Sequence, residues 1–181
     1  GNWTNDGVAA AGSGGGTVIF RGTSLQTIAG STTTVFDSVR IDNSSGISIG
    51  GTSSSIAVTG DWTNNAFANN PSGTVTFSGT AAQAIRGTTA STFTNLTISN
   101  SSTGVTLSKP TTVSGALGLT QGKLTTDATN ILILTSAATS DTGKTTSYVN
   151  RPMRKQALSS GTFTFPVGKD TAWRRITLSN I

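Results

Sequence analysis

Apolar residues in this chain recur in pairs separated by a single residue. Examples are Val39 and Ile41, and Ile47 and Ile49. Alternation with period two is typical of β-strands that bury one face. Groups of Asn, Ser, Gly and Thr, which favour turns, separate the pairs at intervals of about ten residues. The pattern therefore predicts an all-β chain of many short strands.

The pattern also repeats along the chain at a constant offset. Residues 16–49 match residues 73–107 at 16 of 34 aligned positions once Thr103 is treated as an insertion. The sequence GNWTN at 1–5 returns as GDWTN at 60–64. We therefore predict two related units, at about 1–59 and 60–122.

Short strands at this spacing fit two architectures. A β-sandwich would join them by antiparallel hairpins. A right-handed parallel β-helix, or solenoid, would stack coils of about 20 residues, so that between two and three coils fit one unit. Phe36 and Val39, like Phe93 and Leu96, are three positions apart rather than two, which predicts a corner at the same place in each unit. Because the corners repeat and hairpin turns of the Asn-Gly kind are nearly missing, we favour the β-helix, with β-sandwich repeats as the alternative.

The composition excludes several kinds of chemistry. The chain has 35 Thr, 24 Ser and 22 Gly but no Glu, His or Cys. It therefore lacks the residues of a Ser-His-Asp triad, a thiol nucleophile, a disulfide or a conventional zinc site. No apolar run approaches the roughly 20 residues that span a bilayer. We expect no catalytic, cofactor-binding or metal site, no enzymatic activity and no membrane span.

The charge balance changes near residue 141. Residues 1–143 carry five basic side chains and six Asp, a net charge of −1, whereas residues 144–181 carry seven basic side chains and Asp170 alone, a net charge of +6. Repeat matching also fades there. We therefore divide the chain into a β-solenoid repeat region at 1–140 and a basic C-terminal segment at 141–181. This segment would be either the cap or the start of a following domain.

The basic segment is the one feature that would recruit a partner by charge. Its long-range field would attract acidic polysaccharide or a phosphate-bearing surface. Nucleic acid is not expected, because no aromatic platform or known binding motif accompanies the charges. The alternative interpretation is a solvated face or a seam with the next domain. The candidate polyanion or glycan contacts are Arg151, Arg154, Lys155, Trp173, Arg174 and Arg175.

Two further sets of residues are better explained by structure than by chemistry. Trp3 and Trp62 recur at one place in the unit, which favours packing over stacking on sugars. Asp37 and Asp42 would have to converge to act in glycoside hydrolysis, but five positions apart on one strand they face opposite sides.

A calcium site is not expected at Asp61, Asn64 and Asn65. These side chains offer oxygen ligands, but calcium sites usually gather several carboxylates. The whole chain has only seven.

Several segments carry a resemblance to a known class of protein. The segments are GDWTNN at 60–65, GTVTFSGTAAQ at 73–83, FTNLTI at 93–98, VSGALGLTQG at 113–122, YVNRPMRK at 148–155 and FTFPVGK at 163–169. Together they resemble the repeat regions, and the segment that often follows them, of large surface and adhesin-like proteins exported by the type IX secretion system. The resemblance implies an extracellular, solenoidal and non-enzymatic repeat region. It also marks Ser38 and Thr171 as candidate O-glycosylation sites of the short acidic-hydroxyl-apolar kind.

These observations predict a structural repeat segment, a stalk or fibre spacer, of a secreted cell-surface adhesin-like protein. Its partners would be further repeats of the same parent chain and a cell-surface or acidic polysaccharide. The alternative is a carbohydrate-binding module that uses the basic segment and Trp173. A third possibility is a β-helical polysaccharide-cleaving enzyme.

Overall fold

Strands and turns account for all the regular structure that the described residues form. A computed structural model of the chain describes residues 1–7, 15–50, 55–66, 71–157 and 161–179. These residues contain 24 short β-strands and no helix. The strands wind into a β-solenoid of about seven turns, so the predicted parallel β-helix is confirmed. Each turn passes over three faces, numbered 1 to 3 in chain order.

Face 1 is a sheet of eight parallel strands, closed at one end by an antiparallel strand described below. Residues paired across neighbouring strands are roughly 20 positions apart in the chain, which is the length of one coil. The parallel strands of face 1 are β2 (Thr17–Gly22), β5 (Ser38–Asn43), β8 (Trp62–Asn64), β10 (Gln83–Gly87), β13 (Val105–Leu107), β16 (Leu124–Thr125), β19 (Val149–Asn150) and β22 (Val167–Lys169).

Face 2 consists of two parallel sheets. Between them, the described residues 71–73 form no strand, and the Ser72 hydroxyl donates to the Ile49 carbonyl at 2.7 Å. The first sheet contains β1 (Trp3–Asn5), β3 (Gln26–Gly30) and β6 (Ile47–Ile49), and the second β11 (Ser91–Phe93), β14 (Thr111–Val113), β17 (Leu132–Leu134) and β20 (Met153–Lys155).

Face 3 is a parallel sheet of six strands. It consists of β4 (Thr34–Phe36), β7 (Ser55–Val58), β9 (Thr74–Phe77), β12 (Asn95–Ser99), β15 (Ala116–Gln121) and β18 (Thr139–Ser140). The predicted corners lie where face 3 meets face 1 in the first unit, between β4 and β5, and where face 2 meets face 3 in the second, between β11 and β12.

Two strands reverse direction at the C-terminal end. They are β23 (Ala172–Trp173) and β24 (Ile176–Ser179), which follow β21 (Thr162–Phe165) and β22 along the chain. β23 pairs antiparallel with β22, and β24 pairs antiparallel with β21. The basic segment therefore first contributes β19, β20 and β22 to the parallel ladders, and the chain then turns back once, so that β23 pairs with β22 and β24 pairs with β21.

The core is a column of inward-pointing side chains from all three faces. Strand after strand alternates buried and less buried residues, as β5 and β12 do. Alternate apolar residues of each strand therefore meet those of the coils above and below. Burial of one such side chain contributes roughly 1.5 to 3 kcal/mol before conformational entropy is subtracted.

Aromatic residues form the same cluster in both units. The ring centroids of Trp3 and Phe36 are 5.3 Å apart, as are those of their counterparts Trp62 and Phe93. Trp62 is buried and Trp3 packs against the core, which confirms that the recurring tryptophans are packing residues.

Equivalent residues of the two units lie on different faces. Thr17 begins β2 on face 1, whereas Thr74, its counterpart in the second unit, begins β9 on face 3. From the start of one unit to the same position in the next, the chain therefore makes two complete turns of the solenoid and passes two further faces. The coils stack in register, but each unit is rotated by one face relative to the unit before it.

Candidate functional site

Arg151 and Asp170 form an ion pair in the basic C-terminal segment. The Arg151 guanidinium lies 3.0 Å from the Asp170 carboxylate, and about half of each side chain is exposed. Solvent-exposed pairs of this kind contribute little to stability. The Asp170 carbonyl also accepts a hydrogen bond from the buried Tyr148 hydroxyl at 2.6 Å, so Asp170 fixes the turn between β22 and β23.

Lys155 turns its ammonium group onto the protein itself. Its Nζ donates to the carbonyls of Thr135, Ser136 and Ala138 at 2.6, 2.8 and 2.5 Å, which lie in the corner between β17 and β18. Nζ also lies 5.1 Å from the centre of the Phe163 ring. Burial lowers the pKa of Lys155. The Lys155 ammonium group therefore stabilises the corner between β17 and β18 rather than being presented to a ligand. The neighbouring Arg154 points outward from face 2 and is exposed.

This difference predicts unequal effects of two adjacent substitutions. Lys155→Ala removes the donor from three carbonyls and is expected to lower the free energy of unfolding by about 2 kcal/mol. Arg154→Ala, the matched control, is expected to change it by no more than about 0.5 kcal/mol. Urea denaturation followed by far-UV circular dichroism measures both values. Equal effects would show that the three hydrogen bonds do not stabilise the corner.

The remaining predicted contacts lie on and beside β23. Arg175 lies over the Trp173 ring, with its guanidinium carbon 5.4 Å from the ring centroid, so one face of this ring is already occupied. Arg174 lines a groove of about 380 Å³ together with Arg151, Met153, Phe165 and Ile176. The structure therefore brings Arg151 and Arg174 to one groove and places Arg154, Lys155 and Arg175 elsewhere.

The two candidate O-glycosylation sites differ in accessibility. Thr171 is exposed in the turn between β22 and β23. Ser38 is half-buried at the start of β5, where its Oγ accepts a hydrogen bond from the Asp61 amide at 3.1 Å. A glycan on Thr171 would extend into solvent, whereas one on Ser38 would have to displace a contact between coils.

The acidic residues considered for catalysis or metal binding are held in separate contacts. The Asp42 carboxylate accepts hydrogen bonds from Arg40 at 2.9 Å and Asn65 at 3.1 Å, and these bonds lower the pKa of Asp42. Asp61 points outward, whereas Asn64 is buried and donates to the Ala90 carbonyl. Across the described ranges, no three potential metal-ligating side chains of the His, Cys, Asp or Glu type converge.

A polar groove on face 1 was missed by the sequence analysis. It measures about 450 Å³ and includes Arg40, Asp61, Thr63 and Arg86 in its lining. Thr63 on β8 is in register with Arg40 on β5 and with Arg86 on β10. The sequence signal for this groove is that residues 40, 63 and 86 are each 23 positions apart. This spacing predicts that the three residues are neighbours only when the coil length in this part of the chain is known.

Comparison of the chain with protein-family models, curated proteins and solved structures gave no match. Within the part of the chain that the structure describes, no helix is long and apolar enough to cross a membrane. Functional inference therefore depends on the geometry of the solenoid and its surface.

Proposed function

We propose that this chain is a structural repeat segment, a stalk or fibre spacer, of a secreted cell-surface adhesin-like protein. The observation that carries the proposal is the unbroken parallel ladder of face 1, which runs from β2 to β22. At roughly 4.8 Å per coil, seven coils form a rod about 34 Å long. A rigid column of this kind holds the protein segments attached to its two ends at a fixed distance from each other.

The two units repeat their interior but not their surface. The buried pair Gln26 and Asn43 returns as Gln83 and Asn100, with the same hydrogen bond between the two amides. In contrast, the outward-facing Arg40 of the first unit is replaced by Thr97 in the second. Repetition of the framework without repetition of a surface site favours a scaffold over an array of ligand sites.

The resemblance to repeats exported by the type IX system supports an extracellular, cell-surface location. The absence of Cys is compatible with this location, because stacked coils supply the stability that disulfides give to small secreted domains. Further repeats of the same parent chain would be its partners, because they can stack on the terminal coils of the solenoid. A rigid spacer requires no catalytic group.

The spacer role predicts that the length grows with the number of units. Insertion of a second copy of residues 17–73 after residue 73 joins equivalent positions and should add two turns and two faces, about 13 Å at the strand spacing. Because the chain has no Cys, Gly1→Cys and Thr171→Cys allow two dyes to be attached at the ends. Single-molecule energy transfer should show a narrow distribution that shifts by this distance.

An unchanged distance, or a broad distribution typical of a flexible chain, would contradict the spacer role. The location is tested separately by trypsin treatment of intact cells that produce the parent protein. Release of peptides from this segment supports cell-surface display. Their release only after lysis would overturn it.

A further inference from the structure

We propose that the groove on face 1 binds a carboxylated saccharide, with the sugar carboxylate held between Arg40 and Arg86 above Thr63. The inference goes beyond the spacer role and does not depend on it. A rod that passes through an anionic polysaccharide layer would hold that layer along its side.

The register of three adjacent strands places two arginine residues on either side of one threonine. Arg40, Thr63 and Arg86 occupy matching positions on β5, β8 and β10. Two strand spacings separate the backbones of the two arginines, about 10 Å. The side chains line the same groove, and its volume of about 450 Å³ is typical of small-molecule sites.

Carboxylates of the protein hold the two guanidinium groups in place. Arg40 donates from Nε to Asp42 at 2.9 Å, and Arg86 forms an ion pair with Asp61, its Nη2 lying 2.9 Å from the carboxylate. Each contact uses one nitrogen of a group that carries five N–H donors in a fixed plane. The remaining donors are available to a ligand without a further rearrangement of the side chain, which lowers the entropic cost of binding.

The groove lining is suited to a sugar that carries the carboxylate. Ser38 and Thr63 supply hydroxyls, and Asp61 supplies an acceptor for sugar hydroxyls. Ile19, which is 40% exposed, offers an apolar surface to a sugar ring. None of the residues lining the groove is aromatic, as stacking on nucleic-acid bases would require.

Affinity electrophoresis of the full chain in gels containing polygalacturonate tests the site. Methyl-esterified polygalacturonate is the matched ligand, because esterification removes the carboxylate charge and keeps the sugar backbone. We expect retardation by the acid polymer, which weakens as salt is added, and little retardation by the ester. The double substitution Arg40→Gln and Arg86→Gln should weaken apparent affinity by about tenfold or more, as expected for the loss of charge-assisted hydrogen bonds.

The matched control is Arg174→Gln with Arg175→Gln, which removes the same charge from the C-terminal segment and should retain most of the affinity. Thr63→Tyr, which fills the groove without changing the charge, should weaken binding as the face 1 double variant does. Far-UV circular dichroism checks that each variant keeps its strands. No retardation of the unmodified chain, equal losses in the two double variants, or a loss confined to the Arg174 and Arg175 variant would overturn the assignment. None of these outcomes bears on the length measurement that tests the spacer role.

Discussion

Gly87→Ala is expected to destabilise the solenoid by about 4 kcal/mol, because a methyl group at this position has no space and the backbone is unfavourable for any L-residue. Gly87 ends β10 with φ of 129°. A Cβ there would overlap the Asn64 carbonyl oxygen and lie 2.5 Å from its carbon and 2.7 Å from the Asn64 nitrogen. These are backbone atoms of the adjacent coil, so no side chain can move aside.

Gly16→Ala is the matched control for this substitution. Among the described residues, none lies within 4 Å of a Cβ built on Gly16, and the backbone of Gly16 is not in the left-handed region. We expect its free energy of unfolding to stay within about 0.5 kcal/mol of that of the unmodified chain. Urea denaturation followed by tryptophan fluorescence measures the effect, since Trp62 lies on the strand next to β10. Similar midpoints for the two variants would show that the coils can separate to admit a methyl group.

The same close approach occurs in the first unit, on another face of the solenoid. Gly30 ends β3 on face 2 with φ of 139°, and a Cβ there would overlap the Asn5 carbonyl oxygen. The sequence shows that Gly30 and Gly87 occupy equivalent positions of the two units. It does not show that they face a neighbouring coil, because that requires knowing which segments pair.

Local patterns were sufficient to predict that the chain forms short alternating strands separated by corners. Val39 and Ile41 are buried on β5, and Leu96 and Ile98 are buried on β12, as alternation requires. The corner between Phe36 and Val39 forms at Asp37, since an unbroken strand cannot turn both side chains inward. These features depend on residues close in sequence, which is why the sequence alone is informative about them.

Features that depend on the register between coils were not predictable in the same way. The groove on face 1 unites Arg40, Thr63 and Arg86 only because two successive coils have the same length at this point. Elsewhere the length changes from one coil to the next, and the coil that joins β16 to β19 is longer than the coil that joins β19 to β22. No fixed period therefore assigns outward-facing side chains to neighbours. The inward position of the Lys155 ammonium likewise depends on a corner that lies one coil earlier in the chain.

A buried amide network centred on Gln83 joins three successive coils. Gln83 accepts hydrogen bonds from the Gly79 amide and from Asn100 Nδ2, both at 2.9 Å. Its own Nε2 donates to the carbonyls of Val58 at 2.9 Å and Gly60 at 2.6 Å. The side chain is 3% exposed, so water cannot replace these partners without opening the corner.

Gln83→Met keeps the length of the side chain but removes all four hydrogen bonds, and we expect it to lower the free energy of unfolding by about 4 kcal/mol. The matched substitution is Gln26→Met in the first unit. Gln26 donates to the Gly1 carbonyl at 2.6 Å and accepts from Asn43 at 2.8 Å, so among the described residues its side chain forms two hydrogen bonds rather than four. Its replacement is expected to have about half the effect.

The comparison separates the role of the network from that of the repeat. If repetition alone determined the contribution of these glutamines, the two variants would unfold at the same urea concentration, and that result would contradict the prediction. A double variant that combines Gln83→Met with Asn100→Leu should lose less than the sum of its single substitutions, because both remove the same central hydrogen bond. Strict additivity would show that the two amides act independently. The expected non-additivity would instead show that Gln83 and Asn100 stabilise the corner as a pair. Because Gln26 and Asn43 form the same hydrogen bond in the first unit, the pair would have this role in both units, although the two units place it on different faces of the solenoid.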